Sequence, residues 1–406
     1  MIKGTIMGNK KKIGCVIIMH PGQNNYGSSL QGFATVNKIE QLGYDYEIIR
    51  YNKKRSIMDF LRYMPSMLKV GLIGQIIYRL HKKIDLLIYR EYKRTKAVRT
   101  RAVDAFKAKY LDSKSCFYTG YAALCQGSLN YSVVMVGSDQ VWGPFSLYSK
   151  FYNLLFVDDS IPKFSYASSF GVSHIAPCQR EAVANYLRRI NKLGVREQRG
   201  KEIVRELTGR DDAQVVLDPT FLLTREEWES YIDESRCKVN EPYILCYVLG
   251  EREDIRKVIK ELGRRLNLKI VNLPHIDNYH KIDDKLGDIN LYDVNPFDFI
   301  RLVRDAEYVV TDSFHGSVFS VLFHKKFVTF YRKDPKKKGS THSRIDSLFN
   351  IFLIKDRIYE NDICVQMQKD IDYEYVDRKL GEMRKSSLAF LSECLALGGN
   401  VVSHKS

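Results

Sequence analysis

Ser132-Val-Val-Met-Val-Gly-Ser-Asp-Gln-Val-Trp-Gly143 decides the fold class. After Ser132 the run is continuously apolar as far as Val136, which is what a parallel strand covered on both faces requires. It breaks at Gly137, so Ser138, Asp139 and Gln140 fall at the carboxyl end of the strand, where open α/β sheets bind their ligands. Working outward, Ile13–Met19 reads as a strand, 20–28 as a glycine-containing loop, Ser29–Leu42 as a helix and Tyr46–Tyr51 as a second strand. Further units fall at Lys163–Ser169, Leu193–Arg196 and Val215–Leu217, with a helix from Gln179 to Ile190 between the first two.

From Glu241 the pattern restarts: strand Tyr243–Val248, helix Arg252–Leu266, strand Lys269–Leu273, helix Pro296–Ala306, strand Tyr308–Val310. The chain therefore reads as α/β, with two Rossmann-like domains facing across a cleft, an arrangement like that of GT-B transferases. The first domain covers 1–222 and carries a basic helical insertion at 53–110. The second covers 223–353, and 354–406 is a helical segment that is expected to cross back over the first domain. Two domains also suit 406 residues at the usual ~100–200 residues each.

Eight cysteines are scattered without a CxxC pair, several inside apolar runs, which suggests buried thiols in a reducing compartment and no zinc site. Lys10-Lys-Lys12 followed by Ile13–Met19 imitates a signal peptide, but the apolar run is short and no small-residue cleavage site follows. No stretch approaches the ~18–20 apolar residues of a membrane span. A cytoplasmic location is expected.

The net charge of +16 is uneven: Lys53 to Lys109 holds sixteen Lys/Arg against four Asp/Glu. Met58–Met64 and Met67–Leu80 mix aliphatic and aromatic residues with flanking cations. That composition suits a helix lying on an anionic membrane surface, peripheral at the inner face. It equally suits a helical insertion packed on its own domain with a solvated outer face. No nucleic-acid-binding module accompanies the charge, so nucleic acid is not expected as a partner.

In the second half, Tyr308-Val-Val-Thr-Asp-Ser-Phe-His-Gly-Ser-Val-Phe-Ser-Val-Leu-Phe323 runs from a strand through capping residues into an apolar helix. Such a junction presents free N–H groups and a positive dipole end to an anion. His315 and Gly316 sit there, and histidine both gives and takes protons near neutral pH.

Five pieces in order, Asn24-Asn-Tyr-Gly-Ser-Ser-Leu-Gln31, Val136–Trp142, Val195-Arg-Glu-Gln-Arg-Gly200, Leu217-Asp-Pro-Thr220 and Thr311–Ser317, resemble the polysaccharide pyruvyl transferase family. A sixth, Ser343-Arg-Ile-Asp-Ser-Leu348, is similar to its arginine-led element. The resemblance implies transfer of a pyruvyl ketal from phosphoenolpyruvate to two hydroxyls of a saccharide, free or lipid-linked, with no cofactor and no metal. It implies His315 as the proton-transfer residue, with Asp139 as the candidate carboxylate. Arg196, Ser313, Gly316, Ser317 and Arg344 are the candidate donor-binding residues. Asn24, Asn25, Gln140 and Trp142 are those for the acceptor, Trp142 offering a ring face to a sugar. In one respect the chain departs from the family: Ser313 stands where better-known members carry an arginine, and serine makes no bidentate contact to phosphate or carboxylate. Arg332, Lys325 or Arg344 would have to supply that charge.

Plainer readings stand beside these. Arg196 and Glu197 can be an exposed ion pair, Asp139 a turn cap, Asn24–Gly27 ordinary turn chemistry, and Asp218-Pro219 reads as a structural turn. His275 and His280 lack the carboxylate pattern of a metal site. Two other functions also fit: a nucleotide-sugar glycosyltransferase on the same architecture, and a non-catalytic saccharide- or membrane-binding member of a biosynthetic complex.

Overall fold

The computed structural model describes residues 12–19, 22, 24–53, 57–332 and 343–399. In the first half, β1 (Lys12–Val16), α1 (Tyr26–Gln41) and β2 (Tyr46–Asn52) are followed by the insertion helices α2 (Ile57–Lys69), α3 (Leu72–Ile88) and α4 (Arg90–Tyr110). Then come β3 (Ser115–Thr119), α5 (Tyr121–Ser128), β4 (Tyr131–Asp139), β5 (Lys163–Ser168), α6 (Arg180–Arg189), β6 (Lys192–Val195), α7 (Gln198–Thr208) and β7 (Gln214–Val215). After α8 (Arg225–Glu229), the second half holds β8 (Tyr243–Tyr247), α9 (Glu253–Leu266), β9 (Lys269–Asn272), β10 (Ile289–Asn290), α10 (Pro296–Asp305), β11 (Tyr308–Thr311), α11 (Phe314–Leu322) and β12 (Lys326–Thr329). Helices α12 (Ser343–Ile351), α13 (Ile363–Gln368) and α14 (Tyr373–Ala396) complete the described chain.

Among the described residues the strands form two sheets, ordered β3-β2-β1-β4-β5-β6-β7 and β10-β9-β8-β11-β12, parallel throughout. Each order reverses direction beside its first strand, the Rossmann-like pattern that opens a ligand crevice at the carboxyl ends. Central strands are apolar on both faces, as the sequence pattern requires: Val133 through Val136 and Ile244 through Cys246 are fully buried. The basic residues before Lys12, and His20, Pro21 and Gln23 of the first loop, lie outside the described residues.

Helix α1 joins the halves. Asn25 caps it by accepting from Ser28 N at 3.2 Å, three residues earlier than the expected start, and most of its length is buried. Phe33 sits at the hub of an aromatic cluster with Phe106 and Tyr110 of α4, Trp228 of α8, Tyr231 and Phe297 of α10. Edge-to-face packing of this kind adds about 0.5–1.5 kcal/mol per pair beyond area burial. The insertion is thus not confined to the first domain. On α4, the Tyr92 hydroxyl donates to Ile276 O at 2.9 Å and the Arg99 guanidinium donates to Leu291 O and Tyr292 O at 2.6 and 2.9 Å, both in the second half. Helix α14 returns to the first domain, where Leu217 N donates to Ser387 Oγ at 3.0 Å and Phe390 packs near Tyr166.

Candidate functional site

Three helix N-termini converge where the two sheets meet. Asn25 opens α1, Glu197 precedes α7 and Ser313 caps α11 by accepting from Gly316 N at 3.3 Å. The apolar helix expected after the capping residues starts at Phe314 and places His315 in its first turn. The imidazole lies against the backbone of α1: a Cβ on Gly27 would stand 2.0 Å from His315 Nδ1, so only glycine permits this approach. His315 comes from the second domain and its pocket wall from the first.

Asp218 faces it. The Asp218 Oδ1 stands 3.6 Å from His315 Nε2, outside hydrogen-bond range but close for an ion pair. The same carboxylate accepts from Thr220 N and Oγ1, from Ser138 Oγ at 3.1 Å and from Arg196 Nη1 at 2.9 Å. Arg196 Nη2 donates to Asp139 Oδ1 at 3.3 Å, and Ser28 Oγ donates to Asp139 Oδ2 at 3.0 Å. Phe314 lies under the Arg196 guanidinium at 4.4 Å from ring centroid to Cζ. Asp139 ends β4 with φ of 69°, a left-handed conformation that aspartate tolerates. Its carboxylate is a buried network member here, not a turn cap.

The electrostatics follow from burial opposed by these cations. Burial alone would raise the Asp218 carboxyl, but His315, Arg196 and the Thr220 hydroxyl outweigh it and hold it far below the ordinary range. Burial raises Asp139 too, and Arg196, His315 and Arg344 together hold it low. At Glu197 the balance reverses: burial dominates over Arg196 and the Ser169 hydroxyl and pushes the carboxyl up. Arg196 and Glu197 are thus no exposed surface pair: both are buried, 3.8 Å apart. Among the described residues Arg196 Nε, Glu197 Oε2 and His315 Nε2 lack a hydrogen-bond partner.

The remaining candidates divide. Gln140 is exposed and, with its amide oxygen turned to the guanidinium, accepts from Arg344 Nη2 and Nη1 at 2.5 and 2.9 Å. Burial, with Arg196 nearby, pushes Arg344 down to about 10, still cationic at neutral pH. Asn25 borders the open cleft. Asn24 is buried and donates to Gly22 O. Ser313 is occupied as a helix cap. Ser317 Oγ bonds Ser313 O and Thr329 Oγ1, and Gly316 is where α11 presses on Thr311, so both serve packing instead of an anion. Trp142 offers no ring face to a sugar. It is core, 4% exposed, flanked by Phe170 and Tyr186, with its Nε1 donating to Tyr152 O.

Asp218, read above as a structural turn, is the residue that sequence reasoning missed. It does make the turn, through Thr220, but its other contacts reach three separate parts of the chain, at Ser138, Arg196 and His315. The available signal was its place directly after a strand pair at the carboxyl edge of the sheet, in company with Asp139.

Across from this network lies a cleft of about 910 Å3, walled by Asn25 and Tyr78 on one side and by Gly250, Asp254, His275 and Arg332 among others on the second. Asp312 organises that wall by accepting from Leu249 N and Gly250 N at 2.7 and 2.6 Å. Arg332, part-exposed, stands beside Asp312 at 3.7 Å. Burial and the neighbouring His280 hold His275 well below the usual histidine range. Among the described residues no cluster of three or more His, Cys, Asp or Glu side chains could hold a metal ion.

Comparison with curated proteins gives no match. Among solved structures, the chain is similar to UDP-GlcNAc 2-epimerase from Neisseria meningitidis bound to UDP-GlcNAc, at 8% identity and TM-score 0.49, covering 96% of this chain and 95% of that one. It is also similar to the UDP-GlcNAc 2-epimerase of Methanocaldococcus jannaschii, at 12% identity, TM-score 0.47 and coverage of 91% and 99%. Scores below 0.5 add nothing to what the two sheets show by themselves. A family model described as polysaccharide pyruvyl transferase matches residues 25–334, a span that takes in α1, the Asp139, Arg196 and Asp218 network and the His315 helix. The chain belongs to the polysaccharide pyruvyl transferase family.

Proposed function

We propose that this protein transfers the three-carbon unit of phosphoenolpyruvate to two hydroxyls of a saccharide, forming a pyruvate ketal and releasing inorganic phosphate. The observation that carries the reading is His315, held at a helix N-terminus against Gly27 and facing Asp218, with Arg196 and Arg344 close by. In this reading His315 delivers a proton to the methylene carbon of the donor. The first hydroxyl bonds to the adjacent carbon, and the second displaces phosphate from it. One hydroxyl proton ends on the new methyl group and the other on phosphate, so atoms and charge balance. Asp218 faces the imidazole at 3.6 Å and orients it for the transfer.

Ser313 leaves the donor without the arginine of better-known members. Arg196 is already engaged by two carboxylates, so we assign the free cationic face to Arg344, steered by Gln140, with Arg332 across the cleft. The acceptor occupies the open cleft beside Asn25.

A thermal-shift comparison tests this reading, because a ligand that binds the native state raises apparent stability by mass action. Phosphoenolpyruvate should raise the Tm and nucleoside diphosphates should not, and Arg344→Ala should abolish the rise. Stabilisation by a nucleoside diphosphate alone would move the assignment to a nucleotide-sugar glycosyltransferase. His315→Ala should lower phosphate release by about 10²–10⁴-fold with the fold retained; unchanged function would leave a non-catalytic role.

A further inference from the structure

We propose that the helical pair α2–α3 docks this protein on an anionic phospholipid bilayer, with the mouth of the cleft next to the lipid. Helix α3 has no buried residue. Ile73, Ile76, Ile77, Leu80, Ile84 and Leu87 recur at helical spacing and fall within one stripe about 100° wide at 100° per residue. All six are exposed, Leu87 to 80%. On α2, Met58, Phe60, Leu61 and Leu68 are exposed as well. An apolar surface of this extent on a soluble chain marks an interaction site.

Charge chooses the occupant. Residues 57–88 hold five Lys/Arg and two Asp. On α3, Arg79 and Lys83 border one edge of the stripe and His81 the other, where long cationic side chains lie along an apolar surface and present their heads to phosphate. A second copy of the chain would bring the same net charge of +16 against itself, whereas an anionic bilayer complements it. With 17 residues, α3 is about 25 Å long at 1.5 Å per residue. Among the described residues no helix is long and apolar enough to cross a membrane, so the helix lies in the interface plane.

Two contacts orient the body. Tyr63 packs on Tyr148 with ring centroids 5.3 Å apart, and Ser66 Oγ lies 3.0 Å from the Tyr148 hydroxyl, tying α2 to the first domain. Tyr78, on the side of α3 away from the stripe, lines the cleft with Asn25 and Arg332. The helix therefore separates lipid on one face from the cleft on the other. This docking stands or falls without the transfer reading.

Flotation of the purified full chain tests it, using vesicles of phosphatidylcholine alone and of phosphatidylcholine mixed with phosphatidylglycerol. The protein should float with the mixed vesicles, stay largely behind with the neutral ones and be released by high salt. Replacing Ile73, Ile77, Leu80 and Ile84 together by serine should weaken partition at least about tenfold, and Arg79→Gln with Lys83→Gln should reduce the salt-sensitive part. These side chains are outside the core, so unchanged thermal unfolding separates lost docking from lost folding. The proposal is overturned if the wild type remains in the soluble fraction with mixed vesicles. It is equally overturned if the serine variant floats as well as the wild type, or if the stripe drives only a concentration-dependent dimer that the serines dissociate.

Discussion

The buried network of the first domain and the cleft wall of the second domain use their charges in opposite ways. On the first-domain side, Arg196, Asp139 and Asp218 bind one another with serine and threonine hydroxyls in support; Arg196 and Asp218 are buried and Asp139 is only partly exposed. On the second-domain side, Asp312 spends its carboxylate on backbone amides and leaves Arg332 part-exposed beside an open cavity. In the proposed transfer the closed network holds the reaction centre and the open wall receives ligands. A buried network is costly to break and hard to move; an exposed cation is cheap to change and free to pair with a substrate.

That difference sets an order of effects. Asp218→Asn should do the most damage, because it strips Arg196 of a buried partner and His315 of its facing charge. Losses of about 3–5 kcal/mol are usual for such breaks, readable as a lowered denaturant midpoint, together with loss of turnover. A stable, active variant would show that the closed network is not what holds the centre. Gly27→Ala comes next. Its methyl would overlap the imidazole, so about 1–3 kcal/mol of overpacking is expected, with turnover falling more steeply than stability as His315 is displaced.

The third effect is a pH dependence of opposite signs within one network. Asp139 and Asp218 are held below the ordinary Asp value of ~3.9, so the stability they contribute is complete above it and is lost as pH falls below it. Glu197 is held above its ordinary value, so its contribution is present below ~4.3 and is lost as pH rises through the raised one. Unfolding midpoints measured from acid to neutral pH should show a shallower acid limb in Asp139→Asn and a flatter approach to neutrality in Glu197→Gln. The same slope change in both would contradict the assignment. Smallest in stability is Arg332→Gln, within about 1 kcal/mol of wild type for a part-exposed cation 3.7 Å from a carboxylate already satisfied by two backbone amides; it should instead weaken ligand binding, seen as a raised KM at unchanged Tm.

Much of this layout is legible in the residues themselves. The parallel strands at Val133–Val136 and Tyr308–Val310 announce themselves by being apolar throughout, and Ser313 before Phe314-His315 places a helix start next to a strand end. What local reading misses is set by distant partners. Asp218-Pro219 makes the same turn whether or not its second oxygen meets Arg196, which lies 22 residues earlier in the chain. Trp142 follows the strand end that was expected to bind ligand, yet its loop folds back under Phe170 and Tyr186. The cations of α4 resemble those of α3 in composition, and only the second domain's carbonyls reveal that Arg99 is an internal tie.

The histidine belongs to one half of the molecule and the carboxylate that faces it to the other. Neither half alone holds both members of this pair, so in the proposed transfer turnover requires the halves docked around α1. Under that proposal activity reads out correct assembly: a chain whose domains have each folded but not yet met would be catalytically silent. Two fragments cut between Asp218 and the second sheet would be inert apart, and whatever turnover they regained on mixing would measure the docking equilibrium itself.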